Sequence, residues 1–174
     1  MRQVNVVTYN EAWPKQFESE ARSIQAAMNH TPAFIHHIGS TSVPELPAKP
    51  IIDMMPIVAH IDEVDHYNDA MKHLGYEAMG TYGIEGRRFF RKGGDSRTHH
   101  VHVFEAGSPE AERHLAFRDY LINRPDVAFS YGTLKRGLAE IYPEDMEAYI
   151  SGKAEWIQRT EAEAIRWYRE ERLR

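Results

Sequence analysis

HIGSTS, at residues 37–42, is followed after a proline-rich loop by KPIIDMM, at residues 49–55. The first segment is typical of a strand that ends in a small polar turn, because its apolar residues stop at Gly39 and hydroxyl side chains follow. The second segment runs on as an apolar stretch to Val58, which predicts a buried central strand that carries one carboxylate, Asp53. The order of these features suits a cradle for a phosphate and a cation.

The turn after the first strand provides groups that bind phosphate oxygens. Gly39 permits close approach of a ligand, and Ser40 and Thr41 add hydroxyls to the backbone N–H groups. Asp53 on the neighbouring strand can hold a divalent cation that bridges the phosphates, although a buried, hydrogen-bonded carboxylate is the alternative interpretation. The segment is not a P-loop, because it lacks the Gly-Lys-Ser/Thr ending and the strand-to-helix context.

The rest of the sequence predicts a mixed sheet followed by helices. Val4, Val6 and Tyr9 predict a short opening strand, and the apolar spacing over residues 61–74 predicts one helix. Further strands are expected over 34–38, 51–58, 87–91 and 99–104, the last two forming an antiparallel hairpin. From Ser108 onwards the chain is predicted to be helical, with helices that begin at Pro109, Pro125 and Pro143. The expected fold is therefore α/β (α+β), with a sheet-rich part over 1–107 and a helical part over 108–174 in a single domain.

Composition excludes several functional classes. The 174 residues, 42% of them hydrophobic, suit one domain with its own core. The chain has no cysteine, which excludes disulfides, thiolate zinc sites and cysteine nucleophiles. Its net charge of −5 argues against nucleic acid or an anionic membrane as a partner. No apolar run is long enough to span a bilayer and no secretory signal is visible, so a cytoplasmic location is expected.

Two histidines on one predicted strand could complete a metal site. His100 and His102 share a strand face, whereas Val101 and Val103 point to the other face, towards the core. If this strand neighbours Asp53, three ligands with open positions result, which suits zinc, manganese or iron more than magnesium and favours hydrolysis. Alternatively, both histidines bind phosphate or are ordinary exposed strand residues.

Arginines cluster on the preceding strand. Arg87 and Arg91 share a face and Arg88 takes the other, so at least one basic face is expected to line the pocket. The guanidinium fork suits phosphate, and a positive cleft in an acidic protein points to a small anionic ligand. A solvated hairpin tip is the alternative, and it fits Lys92 and Arg97 better than the others.

Three pairs in the helical part are spaced four residues apart and could bind a base and a phosphate as a lid. They are His114 and Arg118, Tyr131 and Lys135, and Tyr149 and Lys153. Exposed amphipathic helices produce such spacings routinely, so the surface interpretation is favoured for each pair. Arg118 is the strongest candidate.

Five segments together resemble the GrpB family, also called UPF0157, of the nucleotidyltransferase-like superfamily. They are residues 37–44, 49–53, 86–92, 98–103 and 113–121, in order along most of the chain. The resemblance implies a nucleotidyltransferase-like mixed sheet flanked by helices, with a C-terminal helical bundle. Some related proteins carry this domain fused to a dephospho-coenzyme A kinase, which by association implies nucleotide or coenzyme A chemistry.

One position departs from the superfamily pattern that this resemblance implies. Active nucleotidyltransferases place a second carboxylate two residues after the first, on the same strand face, where this chain has Met55. The prediction is therefore a protein that binds a nucleotide or coenzyme A derivative and has an incomplete carboxylate set for nucleotidyl or phosphoryl transfer. A non-catalytic nucleotide-binding module and a one-metal phosphohydrolase are the alternatives.

The predicted site divides into two sets of residues. The catalytic and metal-binding set, for Mg, Mn or Zn, is Asp53, His100 and His102. The phosphate-binding set is Gly39, Ser40, Thr41, Lys49, Arg87, Arg88, Arg91 and Arg118. The sequence leaves the substrate and the oligomeric state open.

Overall fold

A five-stranded mixed sheet lies at the centre of the structure, a computed structural model that describes residues 2–174. The strands are β1 (Phe34–Ile38), β2 (Ile52–Val58), β3 (Tyr76–Ala78), β4 (Arg88–Lys92) and β5 (His99–Glu105). Their order is β1-β2-β5-β4-β3, with β2 and β5 parallel and every other pair antiparallel. The predicted mixed sheet and the antiparallel pairing of β4 with β5 are confirmed.

Helices cover both faces of this sheet. They are α1 (Trp13–Ala27), α2 (Asn68–His73), α3 (Pro109–Asn123), α4 (Pro125–Ile141) and α5 (Met146–Arg172), with short 3₁₀ helices at Ser40–Ser42 and Ile61–Tyr67. One face carries the main core, in which Met54, Val101 and Val103 are fully buried and pack with residues of α1 and α2. The other face packs against α3, which leaves the helices α3 to α5 stacked beside it.

The central strands are buried on both faces, as expected of a parallel pair covered by helices. Met54 faces the main core, while Met55 points the opposite way into an apolar cluster with Ile38, Phe104 and Ala111. Met55 has no exposed surface. The position where the superfamily pattern has a second carboxylate is therefore part of the hydrophobic core.

Three predicted elements were wrong. The opening strand is absent, because Val7 makes only an isolated bridge with Ala48 and the N–H of Val4 bonds instead to the carbonyl of Pro143 at 2.9 Å. The single helix over 61–74 is a 3₁₀ helix followed by the short α2. The last helix begins at Met146 and not at Pro143, because the side chain of Asp145 caps it by accepting a hydrogen bond from the N–H of Ala148 at 3.0 Å.

The helices that follow β5 begin where capping chemistry predicts. Ser108 accepts a hydrogen bond from the N–H of Ala111 at 3.4 Å, and Pro109 occupies the first turn of α3. Pro125 occupies the first turn of α4. Over residues 2–174, no helix has both the length and the hydrophobicity needed to cross a membrane.

Candidate functional site

The Gly-Ser turn directly abuts the carboxylate of Asp53. Ile38, the last residue of β1, pairs with Asp53 on β2, and the chain then turns at Gly39 with φ +72° and ψ −174°. This backbone conformation is essentially restricted to glycine. A Cβ at Gly39 would lie 2.5 Å from Oδ2 of Asp53. Gly39 is therefore required both for the turn and for its close approach to the carboxylate.

Two histidines of β5 contact the same carboxylate oxygen. The parallel register sets Asp53 beside His100, and Oδ1 of Asp53 lies 3.1 Å from Nε2 of His102 and 3.5 Å from Nδ1 of His100. The prediction that the two histidines share one strand face is confirmed, since Val101 and Val103 are fully buried on the opposite face. Burial opposes ionisation of Asp53, but hydrogen bonds from His100 and His102 outweigh it and lower the pKa of Asp53 below its usual range.

Arg87 fixes the proton on the ring of His102. Its side chain is 7% exposed and donates hydrogen bonds to the carbonyls of Thr81 and Tyr82. Its Nη1 also lies 3.4 Å from Nδ1 of His102. Because a guanidinium only donates, Nδ1 must accept, and the proton of a neutral ring then sits on Nε2, facing Asp53.

This arrangement bears on the metal that the fold family implies. One donor atom from each of Asp53, His100 and His102 lies within 4.8 Å of the others, a spacing that could hold an ion. Metal-binding histidines, however, usually donate their second N–H to a carboxylate or a carbonyl, which leaves the ligand nitrogen unprotonated. In His102 the second ring nitrogen, Nδ1, faces a donor, the guanidinium of Arg87, and so cannot carry the proton. As arranged, the three side chains do not fit a three-ligand metal centre.

Three lysines from different parts of the chain meet at the same turn. Lys135 of α4 is 2% exposed and its Nζ donates to Oγ of Ser40 at 2.8 Å. Lys49 and Lys153 flank the ring of Tyr149, with their Nζ atoms 5.4 and 4.9 Å from its centroid. Within the described residues none of these lysines forms an ion pair, in contrast to Lys92, which pairs with Glu20.

Burial and mutual repulsion disfavour the charged form of these lysines. Burial, followed by repulsion from Lys153 and Lys49, lowers the pKa of Lys135 to about 6. Burial and repulsion from Lys49 lower the pKa of Lys153 to about 8, although Asp53 acts in the opposite direction. The pKa of Lys49 is also lowered, chiefly by burial. An anion placed among these groups would reverse each of these shifts.

A small cavity, which we call the inner cavity, lies between these residues. Its volume is about 140 Å³. It is lined by Ser40, Thr41, Ala48, Lys49, Ile51, Asp53, His100, Lys135, Tyr149 and Lys153. Two buried polar atoms of this lining, Oη of Tyr149 and Nε2 of His100, have no hydrogen-bond partner among the described residues. Buried polar groups are rarely left unpaired, so these two atoms are exceptional among the buried polar groups of the fold.

The structure brings six of the predicted site residues to this cavity or its wall. Ser40, Thr41, Lys49, Asp53 and His100 line it, and Gly39 packs against Asp53. His102 and Arg87 lie behind Asp53, in the hydrogen-bond chain described above. These two residues can orient the carboxylate but do not line the inner cavity.

The other three arginines are engaged elsewhere. Arg88 points to the opposite face of the sheet and bonds to Asp62 and Asp65. Arg91 lies directly across from Glu77 in the β3–β4 register and pairs with it at 2.9 Å. Arg118 bonds to Asp119 and to the carbonyl of His37. The carboxylates that bind Arg88 and Arg91 become adjacent to them only in the folded chain, whereas Asp119 directly follows Arg118 in the sequence.

The helical spacing favours a surface position for Lys135 and Lys153, whereas the structure places both at the cavity beside Lys49, which was predicted to bind phosphate. The available signal was periodicity, because Ala128, Tyr131 and Lys135 fall at i, i+3 and i+7 on the buried face of α4. A lysine within an apolar stripe is unusual and needs a reason. Tyr149, fully buried on α5, carried a similar signal.

Comparison with known proteins gives the family. The family model described as "GrpB protein" matches residues 3–163. The chain belongs to the GrpB family. This confirms the membership expected from the sequence. The crystal structure of conserved protein GrpB from Enterococcus faecalis superposes with a TM-score of 0.91 at 44% identity, covering 94% of this chain and 99% of that one.

Curated GrpB relatives differ in length from this chain. UPF0157 protein YqkA of Bacillus subtilis is 47% identical over 95% of this chain, which spans 48% of that protein, about half its length. UPF0157 protein PA4798 of Pseudomonas aeruginosa is 39% identical over 93% of this chain and 68% of that protein. A dephospho-CoA kinase of Mycolicibacterium paratuberculosis is 23% identical over 94% of this chain and 46% of its own length.

A more distant likeness identifies the fold of this GrpB protein. Cid1 in complex with its short product ApU superposes with a TM-score of 0.54 at 9% identity, covering 78% of this chain and 43% of Cid1. An identity this low supports the fold alone. The predicted nucleotidyltransferase-like α/β fold is thereby confirmed.

Proposed function

We propose that this GrpB protein binds a phosphate-bearing small molecule, a nucleotide or coenzyme A derivative, with one phosphoryl group in the inner cavity. The observation that carries the proposal is the buried side-chain amine of Lys135, held against Ser40 in the turn. Burial lowers the pKa of this amine to about 6, because the described part of the chain offers its charged form no ion pair. A phosphoryl group would supply the missing negative charge.

Several neutral groups of the cavity would complete this phosphate site. Burial raises the pKa of Tyr149 to about 12, so its hydroxyl stays protonated and can donate at neutral pH. The hydroxyls of Ser40 and Thr41 also line the cavity. Together with the ammonium groups of Lys49 and Lys153, these donors suit a tetrahedral oxyanion.

The choice of nucleotide or coenzyme A derivative draws on the comparisons. Cid1 was solved with ApU, and several relatives are named dephospho-CoA kinase. These ligands and activities belong to the other proteins. For this chain we take from them only the class of ligand, a nucleotide or coenzyme A derivative. Since the cavity chemistry selects for phosphate and not for a base, the ligand's remaining part has to be found by experiment.

Nucleotidyl or phosphoryl transfer belongs to the proposal only as a reaction that does not use two metal ions. Met55 sits in an apolar cluster, so two-metal nucleotidyl transfer through a carboxylate pair on β2 has no second ligand there. Asp53 contacts Nδ1 of His100, whose ring lines the cavity and whose buried Nε2 has no partner within the described residues; in the proposed complex this ring could exchange a proton with the ligand. Without such a reaction, the chain would act as a non-catalytic binding module.

A one-metal phosphohydrolase is the second candidate function. The clustering of Asp53, His100 and His102 within 4.8 Å favours it, with Mg, Mn or Zn as the metal. The donor that Arg87 presents to His102 counts against it. For this candidate function, the proton of His102 would have to move from Nε2 to Nδ1. The contact between Arg87 and Nδ1 would have to break.

A thermal-shift panel tests the proposal. The protein, purified without chelator and analysed for metal, is titrated with ATP, GTP, coenzyme A and dephospho-coenzyme A. A bound ligand at about 100 times its Kd stabilises the native state by about 2.7 kcal/mol, or about 5–10 °C for a domain of this size. The shift should become smaller in Lys135→Met and persist unchanged in Lys72→Met, which changes an exposed lysine of α2.

The outcomes separate the candidates. Binding without turnover supports the module, and turnover with stoichiometric metal supports the phosphohydrolase. Absence of any shift across the panel would contradict the proposal, as would an undiminished shift in Lys135→Met.

A further inference from the structure

A second, larger cavity adjoins the inner one. This outer cavity has a volume of about 820 Å³ and lies between the N-terminal segment, the loop joining β4 to β5 and the residues that lead into α5. Lys49 and Ile51 line both cavities. The two spaces therefore meet at the side chain of Lys49.

The outer cavity is rich in unpaired cations. Arg2, Lys49 and Arg97 line it, and none of them forms an ion pair within residues 2–174. They are close enough that Arg2 contributes to lowering the pKa of both Lys49 and Arg97, after the larger effect of burial. Two exposed carboxylates, Asp95 and Glu144, also belong to the lining, so the cations are in excess by one.

Backbone hydrogen bonds hold the walls of this outer cavity in place. The N–H of Val4 bonds to the carbonyl of Pro143 at 2.9 Å, which joins the N-terminal segment to the chain entering α5. In the β4–β5 loop, the N–H of Thr98 bonds to the carbonyl of Lys92 at 2.9 Å. The side chain of Arg97 donates to the carbonyl of Gly94. Arg2 and Arg97 thus project from anchored segments.

The two cavities differ in what they can accommodate. Pockets for small ligands typically measure about 300–1,000 Å³, so the inner cavity is too small for a nucleoside and suits one phosphoryl group. The outer cavity falls within that range and has polar and apolar walls, the latter including Pro50, Pro143 and Met146. A ligand bound through its phosphoryl group would have to extend past Lys49 into this space.

We infer that the ligand carries anionic groups at two separated positions, one phosphoryl group in the inner cavity and a second anionic group beside Arg2 and Arg97 in the outer cavity. This inference rests on the proposed function and narrows its ligand class to small molecules phosphorylated or carboxylated at both ends. Lys49 lies between the two anionic groups and contacts the segment that joins them.

Calorimetric titration with three probes tests the second subsite. Inorganic phosphate reports on the inner cavity alone, AMP adds a nucleoside, and adenosine 3′,5′-bisphosphate adds a second phosphate. The bisphosphate should bind at least about tenfold more tightly than AMP, because a charge-assisted hydrogen bond contributes about 1.5–3 kcal/mol. This ratio should fall to below about twofold in Arg97→Gln and in Arg2→Gln, with the affinity for inorganic phosphate unchanged.

A matched variant controls for general charge effects. Arg169→Gln removes an arginine of α5 that pairs with Glu112, away from both cavities, and should leave the ratio intact. Arg97 also donates a hydrogen bond within its own loop, so Arg97→Gln could alter the loop as well as the charge. Arg2→Gln removes a positive charge from the outer cavity without breaking that bond. Equal binding of AMP and the bisphosphate, or a ratio that survives both variants, would overturn the second subsite. Failure of inorganic phosphate to bind would instead overturn the proposed function itself.

Discussion

Nζ of Lys135 on α4 donates a hydrogen bond to Oγ of Ser40 at 2.8 Å, across a separation of 95 residues in the chain. This contact joins the helices that follow β5 to the turn that follows β1. Lys153 of α5 lines the same cavity as Asp53 of β2. The site is therefore assembled by docking of the helices onto the sheet, and neither part contains it alone.

Lys135→Met should stabilise the free protein and weaken phosphate binding. Methionine keeps most of the side-chain length but removes an amine that must give up its proton to be buried at neutral pH, so the free energy of unfolding should rise by about 1–4 kcal/mol. Urea unfolding measures the gain, and phosphate titration measures the loss. Lys72→Met, at an exposed position, should change neither quantity appreciably. A destabilised Lys135→Met protein would show that the free protein stabilises the buried side chain of Lys135.

Anion affinity should depend on pH through Lys135. Its pKa is lowered to about 6 in the free protein, so the amine is mostly neutral at pH 7, and an adjacent anion raises that pKa. Binding then takes up a proton, and affinity should fall by about tenfold per pH unit as the pH rises above 6. Sulfate is a suitable probe because its charge is constant over this range. The proton uptake can be measured by calorimetry in buffers of different ionisation enthalpy.

The matched comparison for this pH dependence is Lys135→Met. Its weaker sulfate binding should show a flat profile between pH 6 and about 7.5, with a slope returning only as Lys153, whose pKa is about 8, loses its proton. An unchanged slope in the variant would assign the proton uptake to another group.

Gly39→Ala should destabilise the protein strongly. The backbone at Gly39 adopts a conformation essentially limited to glycine, and the new methyl group would lie 2.5 Å from Oδ2 of Asp53. A loss of about 3 kcal/mol or more is expected in chemical unfolding. Gly137→Ala is the control, because that helical glycine of α4 has open space at its Cβ position and should gain about 0.5–1 kcal/mol. Equal effects at the two glycines would show that the turn relaxes away from Asp53.

Arg87→Gln should raise the affinity for zinc. The guanidinium forces the proton of His102 onto Nε2, whereas a glutamine carbonyl could accept a hydrogen bond from a protonated Nδ1 and leave Nε2 free as a ligand. A gain of about tenfold or more is expected, measured by competition with a chromophoric chelator. Adding His102→Gln to this variant should abolish the gain. Stoichiometric zinc in the unmodified protein would contradict the assigned tautomer. Equal zinc affinity of the unmodified protein and Arg87→Gln would contradict it as well.

Short-range patterns predicted the sheet and one half of the site. Alternation in β5 set His100 and His102 on one face, and glycine followed by hydroxyl residues marked the turn beside Asp53. These features depend on a period of two residues and on local backbone chemistry, both visible in a single segment.

The cationic half of the site could not be predicted in this way. Arg91 is neutralised by Glu77 only because the β3–β4 register sets them opposite each other. Lys135 reaches the turn only because the face of α4 that carries it docks there. Both outcomes depend on how elements far apart in the chain pack, and a helical spacing alone does not distinguish a buried lysine from an exposed one.

The location of a bound oxyanion tests the central claim most directly. Crystals soaked with tungstate, a tetrahedral analogue of phosphate with strong anomalous scattering, would reveal it. We expect an anomalous peak in the inner cavity, with oxygens within hydrogen-bonding distance of Oγ of Ser40, Nζ of Lys135 and Oη of Tyr149. A peak at Arg88 or Arg118 with the inner cavity free of tungstate would contradict the account.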